Sequence, residues 1–327
     1  MADKWEKIWI TFAISLISFI AYSSQIFIIW PFYGKRWSIE LLRLLVPFNV
    51  LVGLIFWCYY LCVTTEPGRI PPNWEPDLSS EDVEVKKLTG GPRFCSKCSV
   101  YKPPRAHHCR RCKRCVLRMD HHCPWVANCI GHHNYASFVR FLTYVVLACT
   151  YHFWMMAYRV WDFAQGGENT FLQEPTAAEV VLTVLNFVAC VPVLIGVSMM
   201  AMYHYWSLWS NTTTIEAWEK DKVATLIRRG RIKDIRYPYS ISPWFNIISV
   251  LGSSPLAWLF PWTETPGDGL SFEIADGTGG AAAVMVGAVV SALQGGTEPQ
   301  RRRPGGCETE TEGETGLTTS WVGEQAV

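Results

Sequence analysis

The stretch Cys95-x2-Cys98-x9-His108-Cys109-x2-Cys112-x2-Cys115-x4-Asp120-His121-His122-Cys123-x5-Cys129-x4-Asn134-x3-Phe138 places seven cysteines and six histidines within 44 residues. Zinc in a structural role takes four sulfur or nitrogen ligands in a closed tetrahedron, and Cys-x2-Cys pairs suit it because both thiolates reach one ion from a tight turn. Six cysteines and two histidines fill two Cys3His sites and leave one of the seven cysteines over. That surplus thiol sits in Asp120-His121-His122-Cys123. A base beside a thiol raises its thiolate fraction, and a carboxylate can orient the base and stabilise its charge, so this is a nucleophile arrangement. Spacing alone does not say which histidine of His107/His108 or His121/His122 binds metal.

Outward from the cluster, the chain reads as a membrane protein. Half of its 327 residues are hydrophobic, and a net charge of +1 selects no partner. A hydrocarbon core about 30 Å thick asks for about 20 apolar residues per helix. Ile8 to Trp30, Leu41 to Val63, Phe138 to Val160 and Ala178 to Trp209 each qualify. The first run is longer than a secretory leader's apolar core and ends in Trp30-Pro31-Phe32 rather than a small-residue cleavage site, so it reads as a retained span. Twelve cysteines in Cys-x2-Cys repeats mixed with histidines argue for metal rather than disulfides, and metal thiolates persist where thiols stay reduced. The cluster is therefore expected to face the cytosol. The fold class is an all-α multi-pass membrane protein: four transmembrane helices with an irregular, cytosolic cysteine-rich module binding two zinc ions.

Residues 1–68 hold the first two spans, joined by a loop around Tyr33 to Trp37 too short for anything but antiparallel neighbours. Thr64-Thr65-Glu66-Pro67-Gly68 stops the second helix. Residues 69–91 read as an extended connector, 92–137 as the zinc module, and 138–209 as the third and fourth spans. The loop between those spans carries Asp162, Glu168, Glu174 and Glu179, with no Lys or Arg from Val160 to Glu219, which makes it lumenal by the positive-inside rule. Lys35, Arg36 and Arg43 run against this assignment; the module and the Arg228, Arg229, Arg231, Lys233, Arg236 cluster outweigh them and put both termini in the cytosol. The fourth span contains Pro192 and Gly196, where a kink is expected. Residues 210–262 are basic, then aromatic and proline-broken, which suits an interfacial segment packed under the module. Residues 263–327, including the short apolar run Ala281 to Leu293, are expected to be a disordered tail. Between Arg93 and Arg118 nine Lys or Arg and no acidic residue make a basic face, open to anionic headgroups or to the phosphates of a nucleotide-bearing donor.

At every position of its cysteine spacing the stretch resembles the cysteine-rich domain of the DHHC family of protein S-acyltransferases (palmitoyltransferases). Glu66-Pro67-Gly68 resembles the family's Asp-Pro-Gly element with Glu for Asp, Thr213 to Glu216 its Thr-Thr-x-Glu element, and Asn246-x3-Val250-Leu251-Gly252 its short C-terminal Asn motif. The resemblance implies one zinc on Cys95, Cys98, His108 and Cys115 and another on Cys109, Cys112, His122 and Cys129, which leaves His121 as base, Asp120 as its orienting partner and Cys123 as nucleophile. It implies transfer of a long-chain acyl group, such as palmitoyl, from acyl-CoA to cytosolic cysteines of membrane-associated proteins through an acyl-Cys123 intermediate. The donor's phosphates are then expected on Arg105, Arg110, Arg111 and Lys113. The layout is most like the fungal endoplasmic-reticulum members.

Other classes fit less well. A membrane-anchored zinc adaptor or RING-like ubiquitin ligase needs a closing Cys-x2-Cys that nothing after Cys129 supplies. A nucleic-acid finger would not lie between two spans. A channel or transporter wants ionisable groups inside the spans, and these read as nearly free of them.

Overall fold

The computed structural model describes residues 4–77, 92–165, 175–230 and 237–275. The second half of the connector, Glu168 and Glu174 of the inter-span loop, Arg231, Lys233 and Arg236 of the basic cluster, and everything from residue 276 on, Ala281 to Leu293 included, lie outside the described residues.

Among the described residues, four helices are long and apolar enough to cross a bilayer: Glu6–Phe32, Ile39–Thr64, Tyr135–Ala164 and Ala177–Trp209. The first is composite. It begins as α1 (Lys4–Ser18), widens into π-type turns over Phe19–Ser23 and Gln25–Ile29, and closes with α2 (Trp30–Phe32). The widened turns coincide with a run of buried polar residues. Ser23 and Asn186 exchange hydrogen bonds of 2.9 and 3.2 Å, and Gln25 and Asn49 exchange bonds of 2.7 and 3.2 Å. In a lipid surround, where apolar side chains gain little by leaving one greasy phase for another, such pairs are what fixes one helix against another. They tie the first span to α3 (Ile39–Thr64) and α5 (Ala177–Trp209), while α4 (Tyr135–Ala164) packs against both of these.

The spans carry more buried ionisable groups than the sequence suggested. Arg159 reaches Glu179 at 3.0 Å and Asp162 at 3.9 Å, and Arg140 donates 2.9 Å bonds to the carbonyls of Trp258 and Thr263. Arg159 is thus matched by carboxylates at the helix ends, and Arg140 is held by neutral acceptors of the C-terminal segment.

The module, largely irregular as expected, carries short ordered pieces. They include three antiparallel ribbons: β1 (Phe94–Cys95) with β2 (Val100–Tyr101), β3 (His107–Cys109) with β4 (Arg114–Val116), and β5 (His121–Cys123) with β6 (Asn128–Ile130). Strands of two or three residues are too short to show a period-two pattern in sequence. The ribbons decide where each ligand points. In β3–β4 His108 lies opposite Cys115, and in β5–β6 His122 lies opposite Cys129. Because successive side chains leave a strand on opposite faces, Cys109 points away from His108, and His121 and Cys123 share the face that His122 does not.

The end of α3 is docked under this module by backbone. The carbonyls of Pro67 and Gly68 accept from the N–H groups of His133 and Leu117 at 3.2 Å each. Gly131 is needed at the contact, since a Cβ there would lie 2.7 Å from the Pro67 oxygen and 2.9 Å from the Leu117 oxygen. After α5 the chain enters α6 (Thr214–Arg228) through a reciprocal cap, the Thr213 hydroxyl accepting from the Glu216 N–H and the Glu216 carboxylate from the Thr213 N–H. Then α7 (Pro243–Leu251) returns against α5, with Asn246 donating to the Trp209 carbonyl at 2.7 Å and accepting from the Ile241 N–H at 3.1 Å.

The expectation that the chain loses order after residue 262 is corrected for residues 263–275. His132 donates to the Gly267 carbonyl at 3.0 Å, Ala275 to the Pro238 carbonyl at 2.8 Å, and the Phe272 ring covers Arg105 at 5.0 Å. Glycine-rich composition suggested a tail, but those glycines permit close approach: a Cβ on Gly269 would meet the His132 ring at 2.7 Å.

Candidate active site and metal centres

The two ligand sets assemble as the resemblance implied. The Nδ1 atom of His108 lies 3.5, 3.2 and 3.9 Å from the sulfurs of Cys95, Cys98 and Cys115. That of His122 lies 3.7, 3.4 and 3.7 Å from the sulfurs of Cys109, Cys112 and Cys129. With Zn–S of about 2.3 Å and Zn–N of about 2.0 Å, a tetrahedral site requires an N···S edge of about 3.5 Å. Both groups can therefore hold one ion each, and their chemistry fits zinc. The ribbon β3–β4 serves both, His108 and Cys115 on its strands to one and Cys109 and Cys112 at its turn to the other, which is how two interleaved sites become one rigid unit.

Cys123, the thiol outside both sets, is buried on the same strand face as His121. The His121 ring donates from Nδ1 to an oxygen of Asp120 at 2.7 Å. That carboxylate, 1% exposed, also accepts from the hydroxyl of Thr214 at 2.8 Å and from its N–H at 2.9 Å. Burial pushes the Asp120 carboxyl up, and the His121 and Thr214 donors outweigh it and hold the group below the usual carboxylate range. Burial likewise pulls the His121 imidazole down, while Asp120 and the Cys123 thiol raise it to about 9. An imidazole that keeps its proton beside a thiol is what a thiolate–imidazolium pair requires.

The loop around the thiol is gripped from the membrane side. The Tyr59 hydroxyl donates to the Trp125 carbonyl at 2.8 Å, and the Asn128 amide to the Cys62 and Thr65 carbonyls at 3.1 and 2.9 Å. Asn134 closes the same loop by donating to the Cys129 carbonyl and accepting from the Gly131 N–H, both at 2.9 Å.

One group here was missed in the sequence. His204 on α5 is 2% exposed, with its ring 5.9 Å from that of His121 and 5.1 Å from Phe138, and Nδ1 3.2 Å from the Tyr135 hydroxyl. A histidine inside a fourth span was the available signal, since ionisable residues at membrane depth usually have a local purpose.

The basic face divides. Arg110, Arg111 and Lys113 are exposed at the β3–β4 turn. Arg105 is not part of it, which corrects the expectation from sequence. It is 1% exposed and forks onto both Glu216 oxygens at 2.7 and 2.8 Å, with a further bond to the Asn211 carbonyl at 2.8 Å. Tyr239 covers its guanidinium at 4.6 Å. Composition could not separate an arginine that faces water from one that pairs with a carboxylate 111 residues away. The pairing holds Glu216 well down: burial raises its carboxyl, but Arg105 brings it to about 2. Glu66, where Asp is usual, ion-pairs with Arg114 beside the module and lies 4.0 Å from Arg69.

Comparison with known proteins converges on the same region. The model of the DHHC palmitoyltransferase family matches residues 88–221. The palmitoyltransferase PFA4 of Mycosarcoma maydis is 43% identical over 297 residues, 83% of this chain and 61% of that protein. In Arabidopsis thaliana, probable protein S-acyltransferase 16 is 35% identical over 70% of this chain and 79% of its own length, and probable protein S-acyltransferase 15 is 32% identical over 78% and 98%. With a family model over residues 88–221 and relatives 35% and 32% identical that the chain covers over 79% and 98% of their length, the chain belongs to the DHHC palmitoyltransferase family.

Proposed function

We propose that the chain is a protein S-acyltransferase that moves a long-chain acyl group, such as palmitoyl, from acyl-CoA to cysteine thiols of membrane-associated proteins. The observation that carries this reading is the strand face on which Cys123 and His121 lie together while Asp120, pinned by Thr214, fixes the imidazole. His121 takes the thiol proton, and the Cys123 thiolate attacks the thioester carbonyl of acyl-CoA. The carbon–sulfur bond to CoA breaks as the bond to Cys123 forms, and the CoA thiolate takes the proton from His121 and leaves as the free thiol, which returns the imidazole to its basic form. A substrate cysteine then gives its proton to His121 and displaces Cys123 from the acyl carbon. One thioester replaces another in each half, so the relay is nearly isoenergetic and has ping-pong form. Zinc on the two Cys3His sets supplies structural rigidity; the chemistry belongs to side chains.

The acyl chain is assigned to the space between the spans, because drawing it from lipid into water would cost about 0.8 kcal/mol per CH2. The donor phosphates are assigned to Arg110, Arg111 and Lys113. The module faces the cytosol and the compartment is the endoplasmic reticulum, a reading supported by the reduced-thiol chemistry and by the likeness to fungal relatives. A glycosylation acceptor placed within 166–174 should then be modified, and one placed before Glu6 should not. The central test is autoacylation of the purified protein with labelled acyl-CoA. Cys123→Ser should take up no hydroxylamine-sensitive label while retaining two zinc ions per chain. Loss of one zinc would make Cys123 a structural ligand instead.

A further inference from the structure

The two metal sites differ behind their histidines. His122 turns Nδ1 to its three thiols and presents Nε2 to the carboxylate of Glu6, 3.2 Å away, with both side chains only 15% exposed. Among the described residues His108 has no carboxylate within ion-pairing distance. Glu6 lies in the first turn of α1, where the helix enters the membrane. One turn later the same helix sets Trp9 edge-on to Trp125 with ring centroids 5.0 Å apart, and Phe12 lies tilted to it at 6.1 Å. Cys123 therefore sits between two residues, His122 and Trp125, that are both held by the first span.

We infer that Glu6 is the outer partner of the second metal site and that, through His122, it positions the strand carrying Cys123 against the membrane. A carboxylate behind a metal-bound imidazole fixes the tautomer with Nε2–H outward, orients the ring and raises the donor strength of Nδ1, and losing such a partner typically costs 10–100-fold in metal affinity. The contact also explains why a glutamate stands at the mouth of an apolar helix. Glu6 does not touch the reacting atoms, so it is a positioning residue. The metal part of the inference is independent of the acyltransferase reading; only its consequence for acylation rests on that reading.

The test uses the full-length zinc-loaded protein in detergent or nanodiscs, as wild type, Glu6→Gln and Glu6→Asp. Zinc transfer to a competing chromogenic chelator is followed together with the visible spectrum of the cobalt-substituted protein. In Glu6→Gln one of the two ions should be lost 10–100-fold more readily while the other behaves as in wild type, and one of the two cobalt envelopes should shift. Glu6→Asp should fall between. In a His122→Cys background, which removes the imidazole but keeps four ligands, Glu6→Gln should no longer accelerate metal loss. With zinc kept saturating, Glu6→Gln should slow formation of acyl-Cys123. Equal loosening of both ions, no change in either, or the same acceleration in the His122→Cys background would overturn the inference. Selective loosening of one ion as expected, in a chain that never acylates, would instead count against the acyltransferase reading alone.

Discussion

The first metal site, on Cys95, Cys98, His108 and Cys115, and the second, on Cys109, Cys112, His122 and Cys129, share a ligand set and a ribbon but sit in different company. The first packs on Ile70, Ala106 and Leu117, with Trp74 and Leu270 at its edge, all from the connector, the module and the late C-terminal segment. The second packs on Val116, Met119 and Ile215 and shares strand β5 with Cys123. On the proposed function, identical coordination chemistry would therefore serve two ends: one ion would gather the module, and the other would place the nucleophile. Replacing one ligand in each site is the strongest way to break this comparison. Removing a structural zinc withdraws on the order of 10 kcal/mol from a small module. Cys129→Ser should abolish acylation outright and expose the loop around Trp125 to protease. Cys95→Ser should expose the β1–β2 ribbon first, with acylation falling only as far as that disorder spreads. Indistinguishable cleavage patterns would mean that the two sites are one cooperative unit.

The next largest effect separates chemistry from scaffold. His121 shares β5 with His122 but points to the opposite face, so His121→Ala should slow acyl-enzyme formation by about 10²- to 10⁴-fold, the usual worth of a positioned base. Zinc content and protease resistance should stay as in wild type. A matching loss of zinc would show that the two faces of the strand are not independent.

The second site borders α6, whose attachment depends on the buried Arg105–Glu216 pair, and acid sharpens this part of the comparison. The Glu216 carboxyl is lowered from 4.5 to about 2. A depressed carboxyl adds stability that is complete above its unfolded value and is lost as pH falls through its folded one. The difference corresponds to about 3 kcal/mol. Glu216→Gln should lower Tm by a constant amount above about pH 5, and the gap from wild type should narrow as pH falls toward 3, even while both proteins begin to lose metal. A gap that does not change with pH would assign the loss to packing rather than charge.

Much of this was legible in the sequence for an identifiable reason. Cysteine pairs and long apolar helices are written in local spacing, so two Cys3His sites, the surplus Cys123 and the four spans could be read, while the choice between His107 and His108 and between His121 and His122 came from the family resemblance. What joins distant segments could not. Arg105 looked like surface charge because its partner Glu216 lies on another element, and His204 gained meaning only when α5 brought it beside His121. Ser23–Asn186, Gln25–Asn49 and Glu6–His122 are each pairs that no periodicity relates. Residues 263–275 looked like tail because glycine signals either freedom or close approach, and only the His132 ring against Gly269 tells which.

The smallest expected effect concerns the outward turn of the ribbon that both sites share. Arg110 and Arg111 lie between two ligands of the second site, and Lys113 follows the second of them in a left-handed conformation, φ 54°, that turns the chain back into β4. Their charges are exposed, so their interaction with donor phosphates is screened over about 10 Å at 0.1 M salt. Replacing Arg110 and Arg111 with Gln should raise the acyl-CoA concentration for half-maximal autoacylation by only a few-fold, consistent with roughly 1 kcal/mol for exposed charge contacts. The shift should be larger at low salt than at high salt. Lys113 is better left in place, because a change at a left-handed position would mix backbone strain with charge. Preference for acyl-chain length should not move, since the proposed place of the chain is among the spans and not at this turn. If acyl-CoA dependence is untouched at both salt concentrations, the turn does not hold the donor. Its charges would then act on lipid headgroups, and the deficit of the same variant relative to wild type in headgroup association would grow as the anionic lipid content rises.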